Sequence, residues 1–489
     1  MTNENSVTIN GGEVSTLWMQ NPSDGAEKNT KDVKGSFSIT GGKVGVVSTE
    51  PSANFTASIT AGEVGRVEYF QTADGRNLVG YITGGTFGMD VTDPFCAENY
   101  SAVPNYDNDT CVWIVKLTSG TLTRVLAEGW NWFSSFIDIE GPTGLGMLES
   151  ALNPSGIQIK DNASQKYVNY SSGNWRGSLT ATSSTKMYAI KTSAEHTLNI
   201  SGNIYDANGY NVELHEKWNY LSYPLYESKS LETAFRGFAP ANGDQIKTIG
   251  KTAVYNAALG KWLGSFDLEP GVGYMYYSNE DGKDFSYSTE ETRSSAVSYV
   301  SKPTEYWIVN ESQYPNNMTM IATLDVEGTN YEVAAFVDGE LRGSARPIYV
   351  EELDQCIILM TISGENVGNI TFKYYDHYTS EEYTLNNVAV YSNNAILGSV
   401  DAPYALTRGT TGIGENSLND INIYPNPTTT DREINLQATC DKVEVFNTLG
   451  VKVAEYQNVD TIDALETAGT YVIRLTLNGD VKHCRLIVR

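Results

Sequence analysis

Residues 128–139 read EGWNWFSSFIDI, and residues 216–227 read EKWNYLSYPLYE. The alignment sets Trp130 over Trp218, an offset of 88 residues. A second pair, GNWRGSL (173–179) and GKWLGSF (260–266), sets Trp175 over Trp262 with an offset of 87. Between them LESAL (148–152) and LETAF (231–235) each suggest a short helix, and IQIKD (157–161) and DQIKT (244–248) the strand that follows. Two offsets that agree within one residue predict tandem copies of one β-rich module with a short helix, over 124–209 and 210–292.

A different repeat lies on the N-terminal side. SVTINGGEV (6–14), SFSITGGKV (36–44), TASITAGEV (56–64) and VGYITGGTF (79–87) alternate apolar and polar residues up to Ile9, Ile39, Ile59 and Ile82. Alternation with period two buries one face of a strand, and the small-residue turn that follows permits a tight corner. The isoleucine spacings of 30, 20 and 23 suit single coils of a short β-solenoid over 1–123, although a β-meander with recurrent Gly-Gly turns reads the same way. After GGTF, the segment 88–115 resembles a terminal unit of repeat-rich surface proteins of gut bacteria. Phe95, Tyr100, Trp113 and Val115 are its candidate cap. Cys96 and Cys111 stand either side of NYDNDT (105–110), read as a hairpin tip, and are either a bridged pair or ordinary thiols.

On the C-terminal side, the polar seam 288–303 leads into a run of short alternating strands separated by Gly, Asn and Asp turns. This pattern predicts an antiparallel β-sandwich over 293–408. Arg342 and Arg346, within and just after VAAFVDGELRGSA (333–345), offer charge to an acidic ligand or to surface salt bridges. Composition agrees with a mainly β, multidomain chain: 31 tyrosines, 44 glycines and 8 tryptophans favour strands and turns. The formal charge of -26 repels phosphate backbones and argues against nucleic-acid binding. The most apolar run, CIILMTI (356–362), is too short to span a bilayer, so no transmembrane segment is expected.

Catalytic motifs are not apparent. The histidines 196, 215, 377 and 483 are isolated, with no metal-ligand spacing and no nucleophile elbow. GKT at 250–252 lacks the phosphate-loop glycine, Gln245 standing in its place. Asp107 with Asp109, and Asp206 with Asn208, fall short of a calcium-loop pattern. The chain is therefore read as a non-enzyme without metal or cofactor. Trp130, Trp175, Trp218 and Trp262 are candidate ligand-binding residues, since exposed aromatics at matching positions could stack on glycans. The competing reading makes them module core.

The last segment is the most specific. INIYPNPTTTDREINL (421–436) follows a glycine-containing linker, 409–420, and its two prolines impose an extended lead into a small β-sandwich over 421–489. Ile434, Leu436 and Ala438 share one face, Val443 and Val445 follow, and Asn478-Gly479 suggests the final hairpin. With Tyr424, Pro425, Asn426 and Pro427, then Asn447 and Gly450 of VFNTLGVKV, then Gly469, Tyr471 and Arg474 of AGTYVIRL, the region 413–489 resembles the type A C-terminal sorting domain of the Bacteroidetes type IX secretion system.

That resemblance implies type IX secretion machinery as a partner and an extracellular or outer-membrane-surface location. Family members enter the periplasm by a cleaved signal peptide. MTNENSVTIN shows none, so a mature or fragmentary N-terminus is expected. The function expected is adhesion or ligand binding, with a glycan or host surface ligand as candidate partner. A glycan-binding module array and a fragment of a β-helix polysaccharide-degrading enzyme are the alternatives.

Overall fold

A computed structural model describes residues 4–19, 34–49, 55–69, 79–105, 109–288, 299–408, 423–448, 450–463, 465–477 and 480–489. The chain separates into two compact units, 1–408 and 409–489, each described by itself. The fold is mainly β throughout.

The first unit begins with β1 (Glu4–Met19), β2 (Lys34–Thr49) and β3 (Phe55–Tyr69), which pair in parallel and in register. Ile9 lies on Ile39, Ile39 on Ile59, and Ile59 on Ile82, so the uneven sequence spacings resolve into one buried row. Corners turn at Gly12, Gly42, Gly62 and Gly85, all with positive φ. A Cβ at Gly42 would stand 2.8 Å from the backbone of Gly11, so the close stacking needs the missing side chain as much as the dihedral. The three strands thus stack in parallel, one residue row above the next. The connecting segments 20–33, 50–54 and 70–78 lie outside the described residues.

β4 (Thr86–Phe87) continues the parallel ladder, and then the direction reverses. β5 (Tyr100–Pro104) and β6 (Trp113–Leu117) form an antiparallel hairpin whose β6 pairs with β4. Phe95 and Val115 are buried beside Phe87, with Tyr100 and Trp113 packed on the same cluster. Cys96 and Cys111 are not bridged. The Cys96 backbone pairs with Ile82, while Phe87 pairs with Trp113, two residues after Cys111. Burial together with Asp90 pushes the Cys96 thiol up to about 11.

Two five-stranded sheets follow, with the same strand order. The first runs Gly129–Phe133, Tyr188–Thr192, Gly156–Asp161, Lys166–Ser171, Asn174–Gly177. The second runs Lys217–Leu221, Tyr274–Ser278, Gln245–Lys247, Thr252–Asn256, Lys261–Leu263. Each carries its helix between the first strand and the next in sequence, Gly141–Ala151 in one and Leu231–Ala234 in the other. The shorter helix is capped by Ser230, whose hydroxyl accepts from the Thr233 amide.

Beyond them two sheets face each other. One is built on Asn316–Leu324 and Gln355–Gly364; the other comprises Glu340–Ala345, Tyr331–Val337, Gly368–Asp376 and Glu381–Tyr391. Met320, Val333, Ile358 and Phe372 fill the space between. The expected antiparallel sandwich is modified at one point. Ile396–Leu397 and Tyr404–Leu406 return parallel to Asn316–Leu324, because the chain crosses from the other sheet before pairing.

The second unit is one antiparallel sheet in the order Lys452–Ile462, Ile434–Asn447, Gly469–Leu477, Asp480–Val488. Cys440 keeps the inward parity of Ile434 and Leu436, and the phase of the long second strand changes between Cys440 and Val443, across from Asn458 with φ +52. Ile434 and Leu436 before the shift, and Val443 and Val445 after it, therefore join one core with Ile473, Leu475 and Leu486. Among the described residues, bridges from Tyr424 to Asn435 and from Thr428 to Val488 add the lead segment to this sheet. The turn at 478–479 lies outside the described residues.

Candidate functional site

The four repeat tryptophans do not form one surface. Trp262 is 3% exposed, enclosed by Phe235, Tyr255 and Tyr276, and is core; its equivalence to Trp175 follows the fold and not a ligand. Trp175 packs against the core of the first module beside Tyr170, its ring closing over Gly156. Trp130 and Trp218, by contrast, meet around Trp132, Met187 and Met275, where the two modules join. Trp218 Nε1 donates to the Asn394 carbonyl at 2.7 Å, and Trp132 Nε1 to that of Pro315 at 3.0 Å. These indoles therefore tie the modules to the sandwich.

Lys247 completes that seam. It is wholly buried, and Nζ donates to the Asn317 carbonyl at 3.2 Å and to Asn394 Oδ1 at 3.0 Å, with the Trp218 ring centroid at 3.9 Å. Burial holds its amine well below the usual lysine range. Neither arginine singled out in sequence is available to an acidic ligand. Arg342 pairs with Glu340 and stacks on Tyr314 at 3.5 Å. Arg346 is held by Glu332 at 3.2 Å and Glu305 at 3.3 Å.

A cleft of about 680 Å³ opens between the second module and the sandwich, lined in part by Lys251, Phe266, Lys302, Ile308, Glu311 and Leu359. A smaller recess beside it holds Arg124, whose Nη1 donates to Glu269 at 2.7 Å. The volume suits a small organic ligand, and charges of both signs with an aromatic wall could orient one. Sequence reading missed this cleft because its walls come from separated stretches of chain between Ser230 and Thr361. Among the described residues, no three His, Cys, Asp or Glu side chains gather to hold a metal. Among the same residues, no helix is long and apolar enough to cross a membrane.

In the second unit the motif residues have definable tasks. Tyr424 exchanges both backbone hydrogen bonds with Asn435, N to O at 3.0 Å and O to N at 2.7 Å, which starts the sheet. Two prolines lack amide donors, and the Asn426 side chain between them takes over. Its Nδ2 donates to the Arg485 carbonyl at 2.6 Å, and its Oδ1 accepts from the Ile487 amide at 3.0 Å. The backbone pairing then resumes, Thr428 N donating to Ile487 O at 2.8 Å. The proline segment is thereby stitched along the last strand.

Asn447 and Gly450 build the next turn. Asn447 Oδ1 accepts from the Val451 amide at 3.0 Å, and Gly450 takes φ +77. Gly469 starts the third strand, and Tyr471 is buried with its hydroxyl on the Thr467 carbonyl at 2.8 Å. Arg474 stands on the outer face, its Nη1 3.6 Å from Glu444. The hydrogen bond from Lys442, joined by that from Lys452, holds the Glu444 carboxyl below its usual range. Tyr424, Asn426 and Pro427 remain exposed, as does part of Arg474, and are the motif groups a partner can reach.

Curated proteins give no match to the chain. Among solved structures, extracellular domains 3–5 of Drosophila OTK are similar at 9% identity, covering 36% of this chain and 61% of that one, with a TM-score of 0.10. Immunoglobulin domains 1–4 of Sidekick-1 are similar at 12% identity, covering 56% and 70%, with a TM-score of 0.11. At such scores neither carries an argument. The family model for a secretion system C-terminal sorting domain, however, matches residues 422–489, the segment whose proline stitch, turn and buried tyrosine are described above. Residues 422–489 of this chain belong to the secretion system C-terminal sorting domain family.

Proposed function

We propose that this chain is a cargo of the type IX secretion machinery, carried to the cell surface or beyond it by its C-terminal domain, and that residues 1–408 then serve adhesion or ligand binding. The observation that carries this reading is the family match at 422–489 on a sheet whose motif side chains leave Tyr424, Pro427 and Arg474 reachable. For the ligand-binding half, support comes from the cleft at Lys251, Phe266 and Glu311. Buried Trp262 and the seam positions of Trp130 and Trp218 weigh against an aromatic glycan platform on the repeat modules.

The test is removal of residues 409–489 from the chain carrying an added periplasmic signal peptide, in a bacterium with a working type IX system, followed by fractionation. The reading expects the full chain on the surface or in the medium and the shortened chain retained in the periplasm. Equal export of both chains would overturn it.

A further inference from the structure

A pair of stacked aromatic rings stands on the outer face of the sandwich. Ile370, Phe372 and Tyr374 of Gly368–Asp376 point into the core, so Lys373 and Tyr375 lie on the opposite face of that strand. The Tyr306 ring covers Tyr375, with centroids 3.7 Å and planes 5° apart. Trp307 meets Tyr306 edge-on at 5.0 Å, and His377 meets Tyr375 edge-on at 5.0 Å. The backbone is pinned too, because the buried Glu332 carboxylate accepts from the amides of Tyr306 and Trp307. Tyr306 is nonetheless 46% exposed. With one face on Tyr375, that exposure belongs to the other face and the hydroxyl edge.

The rim of this plate is polar. Glu382 is the cross-strand partner of Tyr375. Its carboxylate accepts from Lys373 Nζ at 2.6 Å and from the Tyr306 hydroxyl at 3.4 Å. The Lys373 and Glu382 side chains remain 37% and 35% exposed, so donors and acceptors are left over for a ligand. A ring fixed in place before binding gives up little freedom when a ligand stacks on it.

We infer that Tyr306 is a stacking platform for a neutral sugar ring of a polysaccharide, whose hydroxyls bond to Lys373 and Glu382. The inference rests on the ligand-binding half of the function proposed above and gives it a ligand class. A pyranose presents C–H groups on its face and hydroxyls around its edge, which matches a bare aromatic face with a charged rim. A protein partner fits less well, since binding hot spots sit inside surroundings that exclude water. Charge narrows the class. Glu305, whose side chain is 71% exposed, and Glu382 outweigh Lys373 beside the ring, while Arg346 is held by Glu332 and Glu305. Uronate and sulfated sugars are therefore repelled, as they are by the net charge of -26.

Affinity electrophoresis of the full chain tests this, in native gels holding a neutral β-glucan, α-mannan or galactan, or the anionic polygalacturonate. Retardation is expected from at least one neutral polysaccharide and not from polygalacturonate. Tyr306→Ala should weaken it roughly tenfold or more, and Tyr306→Phe, which keeps the ring, much less. Glu382→Gln leaves the stacked rings in place and should weaken it several-fold, so the test survives if Tyr306→Ala loosens its segment. Retardation that both Tyr306→Ala and Glu382→Gln leave unchanged overturns this site but keeps the ligand-binding reading. Retardation by polygalacturonate alone, or by none of the four, overturns the inference itself.

Discussion

Glu332 is the side chain whose removal gives the sharpest check on the sandwich. It is 0% exposed, yet it sits on Tyr331–Val337 between residues that point into the core. Its carboxylate accepts from the amides of Glu305 at 2.6 Å, Tyr306 at 3.1 Å and Trp307 at 3.2 Å, and from Arg346 Nη2 at 3.2 Å, with His377 Nε2 at 3.0 Å. One carboxylate therefore holds the segment that leads into the sandwich. Glu332→Ala leaves those donors without an acceptor. Breaking a buried pair costs about 3–5 kcal/mol, and because Arg346 keeps Glu305, about 3 kcal/mol is expected.

Hydrogen exchange followed by mass spectrometry reads this locally, which suits a chain of several modules better than one melting curve. Protection at 305–307 should fall roughly a hundredfold in Glu332→Ala. The same group predicts a pH dependence. Burial raises the Glu332 carboxyl, but the hydrogen bonds from Glu305, Trp307, His377 and Tyr306 outweigh it and leave the group below the usual carboxylate range. Its stabilisation is therefore fully present above the unfolded value and is lost as pH falls through the lower folded value. In Glu332→Gln that acid-linked loss at 305–307 should vanish. Unchanged protection in Glu332→Ala at neutral pH would refute the reasoning.

Three further outcomes follow from burial and hydrogen bonding. Trp262→Ala should destabilise the second module by about 3–5 kcal/mol while Trp130→Ala, at a half-buried seam, costs about 1–2 kcal/mol; denaturant unfolding that ranks them the other way would contradict the core assignment of Trp262. Asn426→Ala removes two hydrogen bonds to the last strand and should cost about 1–2 kcal/mol, read as faster exchange at the Ile487 amide. Gly450→Ala meets open space, so only its positive φ is strained, and a loss of about 1 kcal/mol is expected in thermal unfolding; a neutral or stabilising result would show that the turn relaxes.

Several elements were legible in the sequence because they rest on local pattern. Ile9, Ile39, Ile59 and Ile82 mark one row since a period of two and a small corner leave each strand a single inward face. The paired tryptophans marked two sheets of the same strand order. Their environments were not legible, because burial depends on what packs above a strand. Trp262 meets Phe235 from the short helix region, and Trp218 meets a carbonyl 176 residues away.

Glu332 and Lys247 were hidden for the same reason. Each occupies the polar phase of a strand, and each is covered by a segment distant in sequence, 305–307 over Glu332 and Asn317 with Asn394 over Lys247. The C-terminal motif carried the family but not its mechanics. Nothing in YPNP says that Asn426 will stand in for the amides its neighbours lack.

The central claim is that residues 409–489 are an export address. Its most direct test transplants that segment onto a fluorescent protein with a periplasmic signal peptide, in cells with intact or inactivated type IX machinery. The account predicts fluorescence at the surface or in the medium of intact cells and in the periplasm of inactivated ones. A distribution that does not change when the machinery is inactivated would contradict it.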